Sequence, residues 1–195
     1  GNACTTCQMS KRVRMLLWSI RRLFPASSGL RVLHLNQINY LSPALRALGD
    51  VTETCYQQGL GRGAKVGELL NEDICELTFP SHQFDLAIHS ETLEHLFDFN
   101  QGLREVERVL KPGGVQVYTV PLLHNRSTRQ RTQQAEDGRL LQLLPPSYHG
   151  NEGEFPVVWE FGTDFFEQRN PRISELHYDN YWQNKAVFTV VERKL

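Results

Sequence analysis

FDLAIHSETLEHLFDFNQGLREVERVLKPGGVQVYTVP, residues 84–121, holds a strand, a helix and a second strand in one run. Residues 84–90 are almost continuously apolar, the pattern of a strand buried on both faces of a parallel sheet. From 99 to 110 the period changes. Leu103, Val106, Val109 and Leu110 fall on one side of a helix, with Arg104, Glu105, Glu107 and Arg108 mostly on the other. Lys111-Pro112-Gly113-Gly114 breaks that helix, and VQVYTV (115–120) is the next strand. Strand, helix and strand in this order imply parallel strands joined by a right-handed crossover.

Towards the N-terminus, RVLHLNQINYL (31–41) reads as a first strand over 31–35 and then a turn. In a nucleotide-binding α/β domain that turn normally carries glycines, which let backbone N–H groups approach the ligand. Here it is Asn36-Gln37-Ile38-Asn39, so either the ligand is bound in an altered way or the fold has lost it. A helix is expected over 41–48, with Ser42 as cap and Gly49 as stop, and a second strand over 51–56. Val13, Leu16, Leu17, Ile20, Leu23 and Phe24 recur at helical spacing, with Lys11, Arg12, Arg14, Arg21 and Arg22 largely off the stripe. A basic amphipathic helix can lie on a membrane, but the expectation here is that it covers the sheet. Beyond Pro121 the periodicity fails over 122–160, apart from a short helix expected at 139–144. An excursion of that length inside a compact domain is usually functional or disordered. A helix over 163–168 and strands over 172–178 and 186–193, the last two forming a hairpin, complete the pattern.

Composition narrows the function classes. The chain has 195 residues, 40% hydrophobic and 22% charged, which suits one domain with a substantial core. A net charge of −1 gives no general steering towards nucleic acid or anionic membranes. No apolar run approaches the ~20 residues that span a bilayer, and Met15–Trp18 is too short for a signal-peptide core, so a cytoplasmic location is expected. Cys4 and Cys7 form a CxxC pair, whereas Cys55 and Cys75 are not at knuckle spacing. Tetrahedral zinc needs four ligands, so no metal site is assigned. The sharper reading of Cys4 and Cys7 is half of a zinc ribbon completed by residues upstream.

Residues 84–121 closely resemble the fourth strand through the fifth strand of class I S-adenosylmethionine-dependent methyltransferases. The resemblance rests on FDL at the strand start, LEHL after it, and L-x-E-x-x-R-V-L-K-P-G-G before the next strand. NEDICELTFPSHQFD (71–85) is similar to the segment of that family in which an Asp meets the adenine. NACTTCQMSKRVRMLLW (2–18) resembles the N-terminal CxxC segment of one bacterial subgroup, whose first strand runs into LHxxPExxL in place of a glycine loop. VLHLNQINYL fits that variant, with Gln37-Ile38 at the Pro-Glu pair. The resemblance covers most of 30–121 and the final hairpin, and is strongest for a methyltransferase type 11-like domain.

It implies an α/β, Rossmann-like class I methyltransferase fold: a mostly parallel seven-stranded sheet with an antiparallel last strand and helices on both faces. Residues 1–29 would be a CxxC segment and helix of the same domain, and 30–195 the methyltransferase-like domain with its insertion at 122–160. Leu35, Asn36 and Gln37 would surround the methionine part of S-adenosylmethionine. Glu53 lies one residue before the position of the acid that binds the ribose, where this chain has Thr54 or Cys55, so it would present its side chain to the other face. Asp73 and Ile74 would meet the adenine, and His89 and Ser90 would end the fourth strand beside the pocket. A hydroxyl acceptor must lose a proton, and His124 and His149 are the candidate bases. Arg126, Arg129 and Arg131 either bind an anionic group on the acceptor or form a solvated basic loop. The expected function is methyl transfer to an oxygen or nitrogen of a small-molecule or glycan-like acceptor, without nucleic-acid or membrane partners. The alternative is a catalytically degenerate binding module. A zinc-dependent nucleic-acid binder is weakened by the near-neutral charge, and a nicotinamide dehydrogenase by the absence of GxGxxG.

Overall fold

The structure is a computed structural model that describes residues 3–25, 29–149, 155–169, 172–181 and 185–195. Helix α1 (Lys11–Leu23) leads into β1 (Leu30–His34), α2 (Ser42–Arg46) and β2 (Gly49–Cys55). Two short strands, β3 (Lys65–Val66) and β4 (Leu69–Asn71), precede β5 (Phe84–Ser90). After a 3-10 turn at Leu93–His95 come α3 (Phe99–Val109) and β6 (Leu110–Pro121). The segment beyond it forms β7 (Arg129–Gln130), β8 (Thr132–Gln134), β9 (Leu140–Gln142), β10 (Tyr148–His149), β11 (Phe155–Pro156) and β12 (Trp159–Glu160). Helix α4 (Asp164–Arg169) and the pair β13 (Ile173–Tyr181) and β14 (Lys185–Arg193) close the chain.

The main sheet has the order β13-β14-β6-β5-β1-β2-β4-β3. Strands β4, β2, β1, β5 and β6 are parallel, and β14 runs antiparallel to both β6 and β13. The eighth strand is the two-residue β3, which runs antiparallel to β4 at the edge. The terminal hairpin therefore closes the sheet as the alternating pattern implies.

The apolar runs are explained by burial on two faces. Val32, Leu86, Ile88 and Val117 pack against Val13, Leu16 and Ile20 of α1 and Leu45 of α2. Leu33, Leu35 and Ala87 pack on the other face against Val106 and Val109 of α3. The α1 helix thus covers the sheet, with its start fixed by Ser10, whose hydroxyl accepts from the Val13 amide at 3.3 Å. Leu16 is fully buried, so truncating it to Ala would cost about 2–5 kcal/mol. No helix among the described residues is long and apolar enough to cross a membrane.

Three local expectations are corrected. Residues 140–142 are strand β9, paired antiparallel with β8, and not a short helix. Leu140, Leu141 and Leu143 stay exposed there, so a helix would have had no apolar face to bury its stripe against. Ser42 lies inside α2 with its hydroxyl on the Ile38 carbonyl, while Leu41 occupies the cap without a side-chain bond. The strand after α3 begins at Leu110 and not at 115. Phe84 pairs with Leu110 and Leu86 with Val115, so Lys111–Gly114 bulges out of the strand, with Gly113 at φ +75°.

Candidate active site

In an open parallel sheet, ligands sit at the carboxyl ends of the strands near the switch in strand order, here between β1 and β5. The first turn shows how the chain manages without glycine. Asn36 adopts φ +51°, the left-handed conformation that glycine takes freely and that asparagine tolerates best among other residues. The turn is tied to β5, to β2 and to the segment that follows β5. The Leu35 amide donates to Ile88 O at 2.9 Å, and the Gln37 amide to Thr54 O at 2.8 Å. The Asn36 amide donates to Thr54 Oγ1 at 3.3 Å, and its Nδ2 to Thr92 Oγ1 at 3.4 Å.

Glu53 supports this turn from below. Its carboxylate is 7% exposed and accepts from His34 Nδ1 at 3.3 Å, Gln37 Nε2 at 3.0 Å and Arg46 NH2 at 2.6 Å. His34 Nε2 accepts from the Ile38 amide at 3.1 Å, so the ring is neutral with its proton on Nδ1. Burial holds His34 below its ordinary pKa. Burial would raise the Glu53 carboxyl, but Ser42, His34 and Arg46 outweigh it and leave the group below the usual range. Both Glu53 oxygens are thus engaged on the face that carries His34. Beyond β4, Asp73 forms an Asx turn in which its Oδ1 accepts from the Cys75 amide at 2.8 Å. Ile74 is buried against α3, so any ligand contact from it would come from the backbone. Burial and then Asp73 push the Cys75 thiol up to about 12, which makes it unreactive.

At the end of β5 the neighbouring residues divide sharply. His89 is fully buried, stacks on Tyr118 at 4.8 Å and leaves both ring nitrogens without a partner. Burial lowers its pKa to about 3. It therefore presents no surface to a pocket. Ser90 shares a 2.7 Å hydroxyl contact with Thr119. Glu91, at φ +50°, accepts from Thr119 Oγ1 at 3.1 Å and pairs with Arg12 at 3.0 Å. Glu94 is fully buried, and neither carboxylate oxygen makes a hydrogen bond. Burial, with Glu91 adding to it, raises the Glu94 carboxyl well above its ordinary value. Around it stand His95, with Nε2 at 3.7 Å, and His149, with Nδ1 at 3.5 Å. The two histidines approach each other at 3.1 Å.

Of the two candidate bases, His149 thus joins a cluster on β10 and the β5 exit, while His124 lies with its ring 5.9 Å from Phe188. Among the described residues the structure does not bring His124 and His149 into contact. Arg129 and Arg131 both pair with Glu160, so neither is a free anion receptor, whereas Arg126 is exposed. Hydrogen bonds from the Cys7 and Thr6 backbone lower the Cys4 thiol to about 7. Glu94 and Arg12 were not singled out in the sequence. The only signal was Glu91-Thr-Leu-Glu94-His95, which puts two carboxylates three residues apart.

A mostly parallel sheet with an antiparallel strand second from one edge is the arrangement of the class I S-adenosylmethionine-dependent methyltransferase fold. Residues 37–118 match the family model described as a methyltransferase domain. The chain is similar in structure to a 1,6-didemethyltoxoflavin N1-methyltransferase from Burkholderia thailandensis, solved with 1,6-didemethyltoxoflavin and S-adenosylhomocysteine bound. Identity is 13%, coverage is 94% of this chain and 78% of that one, and the TM-score is 0.63. It is also similar to the (4+2)-cyclase SpnF, with 14% identity, coverage of 93% and 80%, and a TM-score of 0.61. An S-adenosylmethionine-dependent methyltransferase from Mesorhizobium loti aligns with 17% identity, coverage of 91% and 97%, and a TM-score of 0.57. No curated protein matches the chain. The chain thus has the fold of S-adenosylmethionine-dependent methyltransferases, and its residues 37–118 are similar to a methyltransferase domain.

Proposed function

We propose that the protein transfers a methyl group from S-adenosylmethionine to an oxygen or nitrogen of a small-molecule or glycan-like acceptor. One observation carries the reading: Asn36 takes the left-handed conformation at the end of β1, between Thr54 and Thr92. Asn36 there takes the conformation that a glycine adopts freely, which favours an active cofactor site over a degenerate binding module. When bound, the cofactor supplies a methyl group on a positively charged sulfur. The chain's own task is to hold both partners in line for displacement and, for a hydroxyl acceptor, to take its proton.

In this reading Leu35, Asn36 and Gln37 line the methionine portion, and Asp73 with the Ile74 amide meets the adenine. Ser90 contributes its hydroxyl at the pocket edge, while Glu53 acts by holding Gln37 and His89 acts only through packing. His149 and His124 are the proton acceptors on the acceptor side, with His149 favoured because it stands beside Glu94 and His95. The reading is tested by calorimetric titration with S-adenosylmethionine and S-adenosylhomocysteine. The expected result is micromolar binding, weakened about tenfold or about 1.4 kcal/mol by Asp73→Ala. Asp73→Asn keeps the acceptor for the Cys75 amide and separates loss of the charge from loss of the turn. Absence of binding by the folded natural chain refutes the proposal.

A further inference from the structure

We propose that Glu94, His95 and His149 form a binding site for one divalent transition-metal ion of the zinc type. The three donor atoms are Glu94 Oε1, His95 Nε2 and His149 Nδ1, separated by 3.1, 3.5 and 3.7 Å. A tetrahedral ion with bonds of 2.0–2.1 Å needs donors about 3.3–3.4 Å apart, so these atoms already lie close to the vertices of one coordination shell. Among the described residues this is the only group of three or more such donors gathered within reach of one ion.

Two further observations point to a ligand. The Glu94 carboxyl is fully buried and neither oxygen has a hydrogen-bond partner, a costly arrangement for a native chain unless something else meets those atoms. His95 Nδ1 lies 2.9 Å from the Pro156 carbonyl, which can only accept, so the proton is on Nδ1 and the Nε2 lone pair faces the cluster. A backbone carbonyl that fixes the tautomer of a ligating histidine in this way is the usual arrangement at metal sites. His149 is half exposed, so an ion can enter from solvent. Two imidazoles and one carboxylate suit zinc or iron(II) better than magnesium or calcium, which prefer all-oxygen shells. Three protein donors leave at least one position for water or another oxygen ligand.

Arg12 and Glu91 stand beside the cluster as an ion pair at 3.0 Å. All three donors bind an ion only when unprotonated, so protons and the ion compete for the site. With an ion bound, His149 Nδ1 is a ligand and no longer a free base. The two uses of His149 are therefore alternatives.

The test uses the full chain after dialysis against a chelator, titrated with Zn²⁺ alone and with Co²⁺ as a spectroscopic probe. A Cys4→Ser/Cys7→Ser variant run in parallel removes any thiolate site. The expected result is one Zn²⁺ per chain in that background, at micromolar affinity or tighter, with Co²⁺ giving the intense visible absorption of a four-coordinate site and no thiolate charge-transfer band. Glu94→Gln, which keeps the size of the buried side chain, weakens binding more than tenfold, as does His149→Ala, while His124→Ala leaves it unchanged. Zn²⁺ also raises the melting temperature of the natural chain and not that of Glu94→Gln. Absence of binding, or binding that survives both cluster substitutions, overturns the proposal. Neither readout depends on the cofactor, so failure here is distinct from failure of the methyltransferase reading.

Discussion

Replacing Asn36 with Val and, separately, with Gly measures what the glycine-free turn contributes. Asn36 sits at φ +51°, where a β-branched side chain costs about 1–2 kcal/mol. Either substitution also removes the Nδ2 contact to Thr92, which at 3.4 Å is long and contributes about 0.5 kcal/mol. Asn36→Val should therefore destabilise the fold by about 2 kcal/mol and lower its melting temperature by roughly 4–8 °C for a chain of this size. Asn36→Gly loses the same contact and frees the unfolded chain, but removes the left-handed strain, for a net cost of about 0–1 kcal/mol. Urea denaturation gives the stabilities, and titration with S-adenosylhomocysteine gives the affinities. The Gly variant should bind within about threefold of the natural chain and the Val variant at least about tenfold more weakly, because only Val forces the backbone to move. If Val and Gly behave alike in both assays, the left-handed turn is not what the site requires. If Gly is stable yet loses binding, the side-chain amide and not the backbone shape holds the ligand.

Two further predictions concern the frame behind the site. His89 has a folded pKa of about 3 against about 6.5 when unfolded, so as pH falls the unfolded chain is protonated first and stability is lost between those values. At pH 5.5 the loss from His89 is about 1.4 kcal/mol, and His34, also depressed by burial, adds in the same direction. Urea denaturation at pH 7.5 and 5.5 should show this loss, and His89→Leu should reduce it; an unchanged difference would mean that His89 does not carry it. Glu192 is nearly buried and accepts from Arg169 at 2.8 and 2.5 Å, from Tyr118 at 2.8 Å and from Gln116 at 2.7 Å. Glu192→Ala leaves a buried guanidinium without its partner and should cost about 3–5 kcal/mol in the same assay, with a loss under 1 kcal/mol refuting the assigned role.

The sequence by itself determined the elements that rest on local periodicity. The apolar runs at 84–90 and 115–120, the helical stripe through Leu103, Val106 and Val109, and the α1 stripe each show which faces must be buried, because spacing alone sets which side chains share a face. The turn at Asn36 was legible as a departure from glycine, though its left-handed backbone was not. Tertiary structure decided the rest, because it depends on residues far apart in the chain. Glu53 could be placed on a face from strand alternation, but its capture by Arg46, His34 and Gln37 required α2 to fold over β2. Residues 140–142 became a strand because β8 offered backbone partners and no apolar surface was at hand. His89 ended a strand as expected, yet its neighbour Tyr118 on β6 sealed it from any ligand. His95 lies 54 residues from His149, with Glu94 one further, and only the pairing of β10 with β11 beside the β5 exit brings their donor atoms within coordination distance.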